Sequence, residues 1–482
     1  MIRTAPLVWG CSIVLVVAWL LVGIHDANVA GYPNEIEPKV PREGGWGHFG
    51  NLQRNEILKE RELKNHGVLK KKLTMRGVSV DRSNIVDPIT MQDLEAPLGR
   101  LWIPAAITGP IEPNKVDPLA NVLVAYCQLD MAAYHKSPWM FAMGTFHQRQ
   151  SGCLDDKSLV RTFRFSSLKR LVDENPNAFM DPSGFIYHET RCGSTLTANM
   201  IAAIPSNIVH SETPPPVAVL NLCSGEGKCS DDLRDQLVRT MFRLMGPVQD
   251  GHTHLFFKFQ SSKYVPAVEK AWPETKWIYL FRDPLEVIAS NLKGAWRKIG
   301  ANAARNTTQL ANNQPVYNLG GPCVRGVRGS PKVPGGKPTP PPPQVLVNAC
   351  VKQLESLNQV ALEQIQDGSP NGLVVEYRQL PEVISEFVYP VHFGMATTDA
   401  EREESKQWME PVTHVYSKGM ATPQEEAVSK DFEQGMDLQV KEEGSDIAMR
   451  DAAASMCENY RKLVGLQRWR KEDEGGTMGT CR

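Results

Sequence analysis

The chain predicts an α/β domain built on a central parallel sheet, carried behind an N-terminal membrane-spanning helix and a stem. Three observations predict it. From residue 181 onward, short apolar runs alternate with helical patterns. Those runs are mainly apolar, as suits strands covered on both faces. Residues 5–24, "APLVWGCSIVLVVAWLLVGI", are twenty residues without a charge, the length of a membrane-spanning helix.

The anchor sets the compartment. Arg3 precedes the apolar run and His25-Asp26 follow it, which leaves the weak positive bias on the N-terminal side. A cleaved signal peptide is the competing reading, but "ANVA" at 27–30 is a poor cleavage site because Asn28 stands where a small residue is wanted. Either way the bulk of the chain crosses the membrane. Of ten cysteines, Cys11 lies in the anchor. Cys127/Cys153, Cys223/Cys229 and Cys323/Cys350 suit disulfides of an oxidising lumen, with Cys192 free. Asn306-Thr307-Thr308 is a glycosylation sequon.

Composition bounds the rest. With 482 residues, 41% of them apolar, the chain can bury a large core. A formal net charge of −1 excludes a general nucleic-acid binder, so any anion site is local. The expected order is an anchor at 1–30, a Pro-, Gly- and charge-rich stem at 31–100, and a cap or accessory subdomain at 101–180. The main domain follows at 181–470, and 471–482 is a tail. In the accessory part, Asp117–Tyr134 reads as a helix. Residues 319–343 carry four basic residues, no acidic residue and a proline tract, and read as an exposed insertion.

Within the main domain the expected strands are 184–188, 207–210, 254–259, 277–281 and 373–377. Helices are expected to start at Ser194, Asp231, Pro284 and Pro381. The second carries Leu233, Leu237, Met241 and Leu244 on one face.

Two strand–turn–helix junctions carry the chemistry. In "YHETRCGSTL" (187–196) a strand ends near His188, Glu189 to Gly193 turn, and a helix starts at Ser194. Free N–H groups at a helix start hold anions. Gly193 lets the backbone approach, Ser194 and Thr195 add hydroxyls, and Arg191 adds a charged fork. The lysine of nucleotide-binding loops is missing. In "WIYLFRDPLEVIASNLKG" (277–294) Arg282 emerges at a strand's C-terminal end, where such sheets bind ligands. Pro284 suits a first helical turn, and Ser290 follows about two turns on. Two anion sites on one sheet fit a ligand charged at both ends.

These runs, with "VVEYRQLPEVISEFVYPVHFGM" (374–395), resemble the sulfotransferase family that uses 3′-phosphoadenosine 5′-phosphosulfate (PAPS). The resemblance covers about 181 to 420. It implies a P-loop-like three-layer α/β/α fold. It assigns Arg191, Cys192, Gly193, Ser194 and Thr195, with Leu196 after them, to the 5′-phosphosulfate, and Arg282 and Ser290 to the 3′-phosphate. "VVEYRQL" matches the family's Tyr-Glu-Asp-Leu run only at Tyr377 and Leu380. Ser417, Lys418 and Gly419 resemble its segment that closes over the nucleotide. Where the cytosolic branch has a histidine after its strand lysine, this chain has Lys258-Phe259-Gln260. By analogy with Golgi-type members, Glu212 is the expected base, with His210 as runner-up, and Lys258 the expected partner of the leaving oxygen. Glu189 either orients Arg191 or faces solvent.

The resemblance implies transfer of a sulfuryl group to a hydroxyl, most directly on a carbohydrate, by a single-pass type II protein of the Golgi membrane. A sulfuryl group carries less negative charge than a phosphoryl group, so arginine and backbone donors can suffice in its transition state. No metal is expected, and His252 and His254 read as strand-edge residues. The competing classes are a protein-tyrosine sulfotransferase, a P-loop kinase or NTPase, and a non-catalytic membrane-anchored glycan-binding protein. Magnesium-dependent ATP turnover would favour the kinase, and PAPS binding without transfer the glycan-binding protein.

Overall fold

The computed structural model describes residues 78–111, 116–141, 148, 150–222, 230–249, 251–292, 343–366, 369–414, 447–469 and 481. The smaller of two sheets contains β1 (Ile85–Val86), β2 (Arg100–Thr108), β3 (Leu123–Asp130) and β4 (Val160–Arg164), in spatial order β1-β4-β3-β2. Only β1 and β4 run parallel. Ile85 and Val86 pair with Thr162 and Phe163, so the end of the segment expected as stem belongs to this sheet.

Asp117–Tyr134 is not one helix. Its centre is β3, and helix is confined to α1 (Met131–Lys136). The reason is burial. Every residue from Leu123 to Leu129 is buried, which a surface helix with one wet face does not allow and a covered strand does. Asp130 ends the strand and caps α1, accepting from the Ala133 amide. Two further helices, α2 (Pro138–Phe141) and α3 (Phe165–Glu174), complete this part.

The larger sheet has five parallel strands: β5 (Gly184–His188), β6 (Asn207–Ser211), β7 (His254–Gln260), β8 (Trp277–Phe281) and β9 (Gly372–Glu376). Their order is β6-β7-β5-β8-β9, so β6 and β9 are the edges. All five stand within a residue or so of where the apolar runs place them. Helices flank the sheet: α4 (Ser194–Ala202), α5 (Pro214–Leu222), α6 (Asp231–Leu244), α7 (Val265–Ala271), α8 (Pro284–Leu292) and α9 (Pro343–Gln366). After β9 come a π-helix over Ile384–His392, then α10 (Asp399–Thr413), α11 (Ile447–Ser455) and α12 (Cys457–Gly465).

Local signals explain these boundaries. Ser230 caps α6 through the Leu233 amide, with Asp231 and Asp232 in the first turn. The expected stripe of Leu233, Leu237, Met241 and Leu244 is buried. Phe242 meets Phe257 of β7 at a centroid distance of 4.5 Å. Asp283 accepts from the Leu285 amide at the start of α8. The helix expected from Pro381 begins slightly later and takes π geometry, with Pro390 inside it. The C-terminal helical stretch divides at Met456 into α11 and α12.

Cys127 and Cys153 are disulfide-bonded, as paired from the sequence, and a Cys457–Cys481 disulfide adds to them. Such bonds suggest a domain of the secretory pathway. Cys192 is buried and belongs to neither disulfide. Among the described residues no helix is long and apolar enough to cross a membrane. The apolar run at 5–24, the sequon, the insertion at 319–343 as far as residue 342, Cys223, Cys229, Cys323 and Ser417–Gly419 lie outside the described residues.

Candidate functional site at the C-terminal edge of the parallel sheet

Three adjacent strands end in strained backbone. Arg191 in the loop after β5 has φ 55°, Glu212 directly after β6 has φ 54°, and Ser261 directly after β7 has φ 94°. Non-glycine residues in this region store strain and cluster at functional sites. The loop Glu189–Gly193 passes from β5 into α4, and Gly193 caps the helix at φ 82°. A Cβ there would stand 2.4 Å from Leu380 Cδ1 and 2.8 Å from Tyr377 Cδ2, so glycine is required for space as well as for backbone angle. Backbone bonds tie the strand ends together: Glu212 N donates to Lys258 O at 2.9 Å and Ser261 N to His188 O at 3.0 Å.

Over β5, β6 and β7 these ends bring two basic side chains to one carboxylate oxygen. Lys258 Nζ lies 2.9 Å and His188 Nε2 3.1 Å from Glu212 Oε1. Lys258 is fully buried and His188 nearly so, whereas the Glu212 side chain is 30% exposed. Glu212 is therefore the member that meets solvent. Burial pushes its carboxyl up, but the Lys258 charge and the His188 contact outweigh this and hold it well below the usual carboxylate range. The Lys258 ammonium is ion-paired with Glu212 and has no further hydrogen-bond acceptor among the described residues. Buried ammonium donors of this kind are poised for an anion's oxygens. The hydroxyls of Ser211, Thr213 and Ser262 are likewise buried without a hydrogen-bond partner.

Over β8 and β9 the groups face one another. Arg282 is buried, its Nε ion-paired with Glu286 and its guanidinium 3.6 Å over the Tyr377 ring. Its Nη1 donates to the Arg191 carbonyl at 3.4 Å. Glu286 also holds Arg378 at 2.8 Å. Glu189 does not orient Arg191 through its side chain: it is fully buried and accepts the Arg282 amide at 2.8 Å. Burial pushes its carboxyl up to about 8, against hydrogen bonds from Asn358 and the Arg282 amide. Burial also raises Asp283.

The structure thus brings Arg191, Cys192, Gly193, Ser194 and Thr195 into one loop and helix start, with Leu196 half-buried behind them. Glu212 and Lys258 meet in one ion pair. Arg282 touches the loop through Arg191 but turns its charge to Glu286, and Ser290 lies half-buried near the end of α8. His210 belongs elsewhere: it bonds the Met245 carbonyl at 2.7 Å, and burial lowers it to about 4. Sequence reasoning missed His188. Its signal was a polar residue closing an apolar strand just before the glycine loop. Among the described residues no three His, Cys, Asp or Glu side chains are grouped to hold a metal ion. No family model matches the chain, and no curated protein matches it.

Proposed function

We propose that this chain is a PAPS-dependent sulfotransferase that transfers a sulfuryl group to an acceptor hydroxyl, with a carbohydrate as acceptor. The observation that carries the reading is the buried Lys258 ammonium, with unfilled donors, beside a partly exposed Glu212 at the end of the sheet that also ends in the Gly193 loop. An anion-binding group and a base stand together where parallel sheets bind ligands. The resemblance of the loop to the family's 5′-phosphosulfate motif supplies the donor.

In this reading the donor's sulfonate meets Arg191, the N–H groups at the start of α4 and Lys258. Glu212 takes the proton of the acceptor hydroxyl as its oxygen attacks sulfur and the bond from sulfur to the phosphate oxygen breaks. Adenosine 3′,5′-bisphosphate leaves. His188 is a positioning residue that holds the Glu212 carboxylate at 3.1 Å. The 3′-phosphate is assigned to Ser290 and Arg282, and it reaches Arg282 by competing with Glu286. In the fuller picture the fold is of the P-loop-like three-layer kind, and the domain stands in the Golgi lumen behind the anchor at 5–24.

The test is equilibrium binding of labelled PAPS to the full chain, followed by transfer to a panel of glycan and peptide acceptors. Transfer to a glycan hydroxyl is expected, with PAPS affinity reduced about tenfold or more in Arg191→Ala. A chain that neither binds PAPS nor transfers from it sinks the reading, and transfer to tyrosine peptides alone replaces the acceptor.

A further inference from the structure

Beside Glu212 the sheet edge holds three hydroxyls that the reaction above does not use. Ser211, Thr213 and Ser262 are 2%, 4% and 0% exposed, and the hydroxyl of each is buried without a hydrogen-bond partner. Ser211 and Thr213 stand on either side of Glu212 in the chain, and Ser211 is the register partner of Lys258. Register partners on neighbouring strands are about 4.8 Å apart and present their side chains to one face. Ser262 directly follows Ser261, whose amide is bonded to the His188 carbonyl. The hydroxyl of Ser261 itself is engaged and accepts from the Lys263 amide at 3.2 Å, so the unpartnered state is not general to this turn.

The backbone under these groups is held from both sides. On the outer side Tyr134 of α1 ties the smaller sheet to edge strand β6: its Oη donates to the Val209 carbonyl at 3.1 Å and accepts from the Val209 amide at 2.8 Å. On the inner side the Glu212 amide donates to the Lys258 carbonyl at 2.9 Å. Glu212 and Ser261 are fixed there at positive φ, a strained backbone of the kind found at ligand sites. Folded proteins leave few buried polar groups unpaired, and each one carries a desolvation cost. Three such hydroxyls along one short edge form a cost that a bound partner would remove. The way in is at Glu212, which among these residues is the one whose side chain meets solvent appreciably.

The hydroxyls also say what the partner is. A hydroxyl donates and accepts and carries no charge. An anion accepts only and is held best by charged donors. A tyrosine side chain brings one hydroxyl, which the reaction consumes, and would leave all three protein hydroxyls unpaired. A sugar ring brings several neighbouring hydroxyls that donate and accept in turn. We propose that Ser211, Thr213 and Ser262 form an acceptor subsite that reads the free hydroxyls of a neutral sugar ring beside the one that Glu212 deprotonates. The subsite rests on the sulfotransferase reading for the reaction it serves, whereas binding of the sugar does not need the donor.

Ser211→Ala, Thr213→Val and Ser262→Ala, singly and together in the full chain, test this by two readouts that move in opposite directions. Removing hydroxyls that lack a partner in the free protein should raise the melting temperature, by about 2 °C or more in the triple variant. NMR titration with methyl glycosides of galactose, glucose, N-acetylglucosamine and xylose should show at least one binding to wild type, about tenfold or more weaker in the triple variant. The KM for the glycan acceptor should rise by a similar factor while PAPS affinity stays within about twofold. A triple variant that melts lower than wild type, or does not fold, overturns the subsite, because its hydroxyls then have partners in the free protein. Binding of none of the glycosides also overturns it, as does a fall in PAPS affinity with the acceptor KM unmoved, which would give the hydroxyls to the donor. Glycoside binding that depends on the three hydroxyls, without transfer from PAPS, would sink the sulfotransferase reading and keep the sugar subsite. Transfer to a glycan with KM unmoved in the triple variant would do the reverse.

Discussion

Glu212 and Glu189 stand along one edge of one sheet, and their carboxyls are pushed in opposite directions. Glu212, beside Lys258 and His188, is held ionised far below its ordinary range. Glu189, fully buried and accepting the Arg282 amide, is pushed up to about 8 by that burial. The difference separates the two halves of the edge. Over β6 and β7 a charge is paired yet still meets solvent, and an ammonium keeps unfilled donors. Over β8 and β9 the charges of Arg282, Glu286 and Arg378 close on one another. The first half has chemistry to offer a ligand, and the second holds the loop that the ligand would use.

That contrast can be broken from its strongest side first. Glu212→Gln keeps the shape and removes the base. Transfer should fall by about 10³-fold while PAPS affinity stays within about threefold, measured as single-turnover transfer beside equilibrium binding. A wild-type rate in that variant removes Glu212 from the chemistry. Lys258→Met should lower transfer by about 10²-fold and let the Glu212 carboxyl rise toward its ordinary value. Since Glu212 is depressed on folding, wild-type stability from this pair is present above the ordinary carboxylate value and lost as pH falls through the folded one. A pH series of thermal melts should show that acid-side loss flattened in Lys258→Met.

Gly193→Ala tests the loop between the halves. The added methyl meets Leu380 and Tyr377, and φ is positive, so PAPS binding should weaken by about tenfold, read by calorimetry. Unchanged affinity would mean that the loop does not close on the donor. The smallest effect belongs to Glu189→Gln. A carboxyl raised on folding stabilises below its ordinary value and loses that contribution as pH rises toward about 8. The variant should therefore melt about 2–4 °C above wild type near pH 8 and converge with it near pH 5. A melt that is lower at both values would show that the Glu189 charge is needed where it stands.

Much of this was legible because the parallel strands are short apolar runs between turn residues, and Gly193 and Pro284 mark where helices start. The strand β3 was not. "VLVAYCQL" is apolar but for Gln128, and periodicity cannot tell a doubly covered strand from a buried helix. At the site, Glu212 and Lys258 were readable one at a time, but their meeting depends on β6 and β7 lying side by side, which no local pattern states. Glu286 stands one helical turn after Arg282 and could have been read as its partner. Arg378, which completes that network, comes from a strand end far along the chain.

The Tyr134 hydroxyl has a consequence beyond holding two sheets together. Edge strands are templates on which other chains can add, and proteins that survive at high concentration blunt them. On β6 the plug is a single oxygen that occupies both the donor and the acceptor of Val209. A phenylalanine in its place would keep the ring and bare that pair, and the defect would surface as copies of the chain sticking to one another before any loss of transfer.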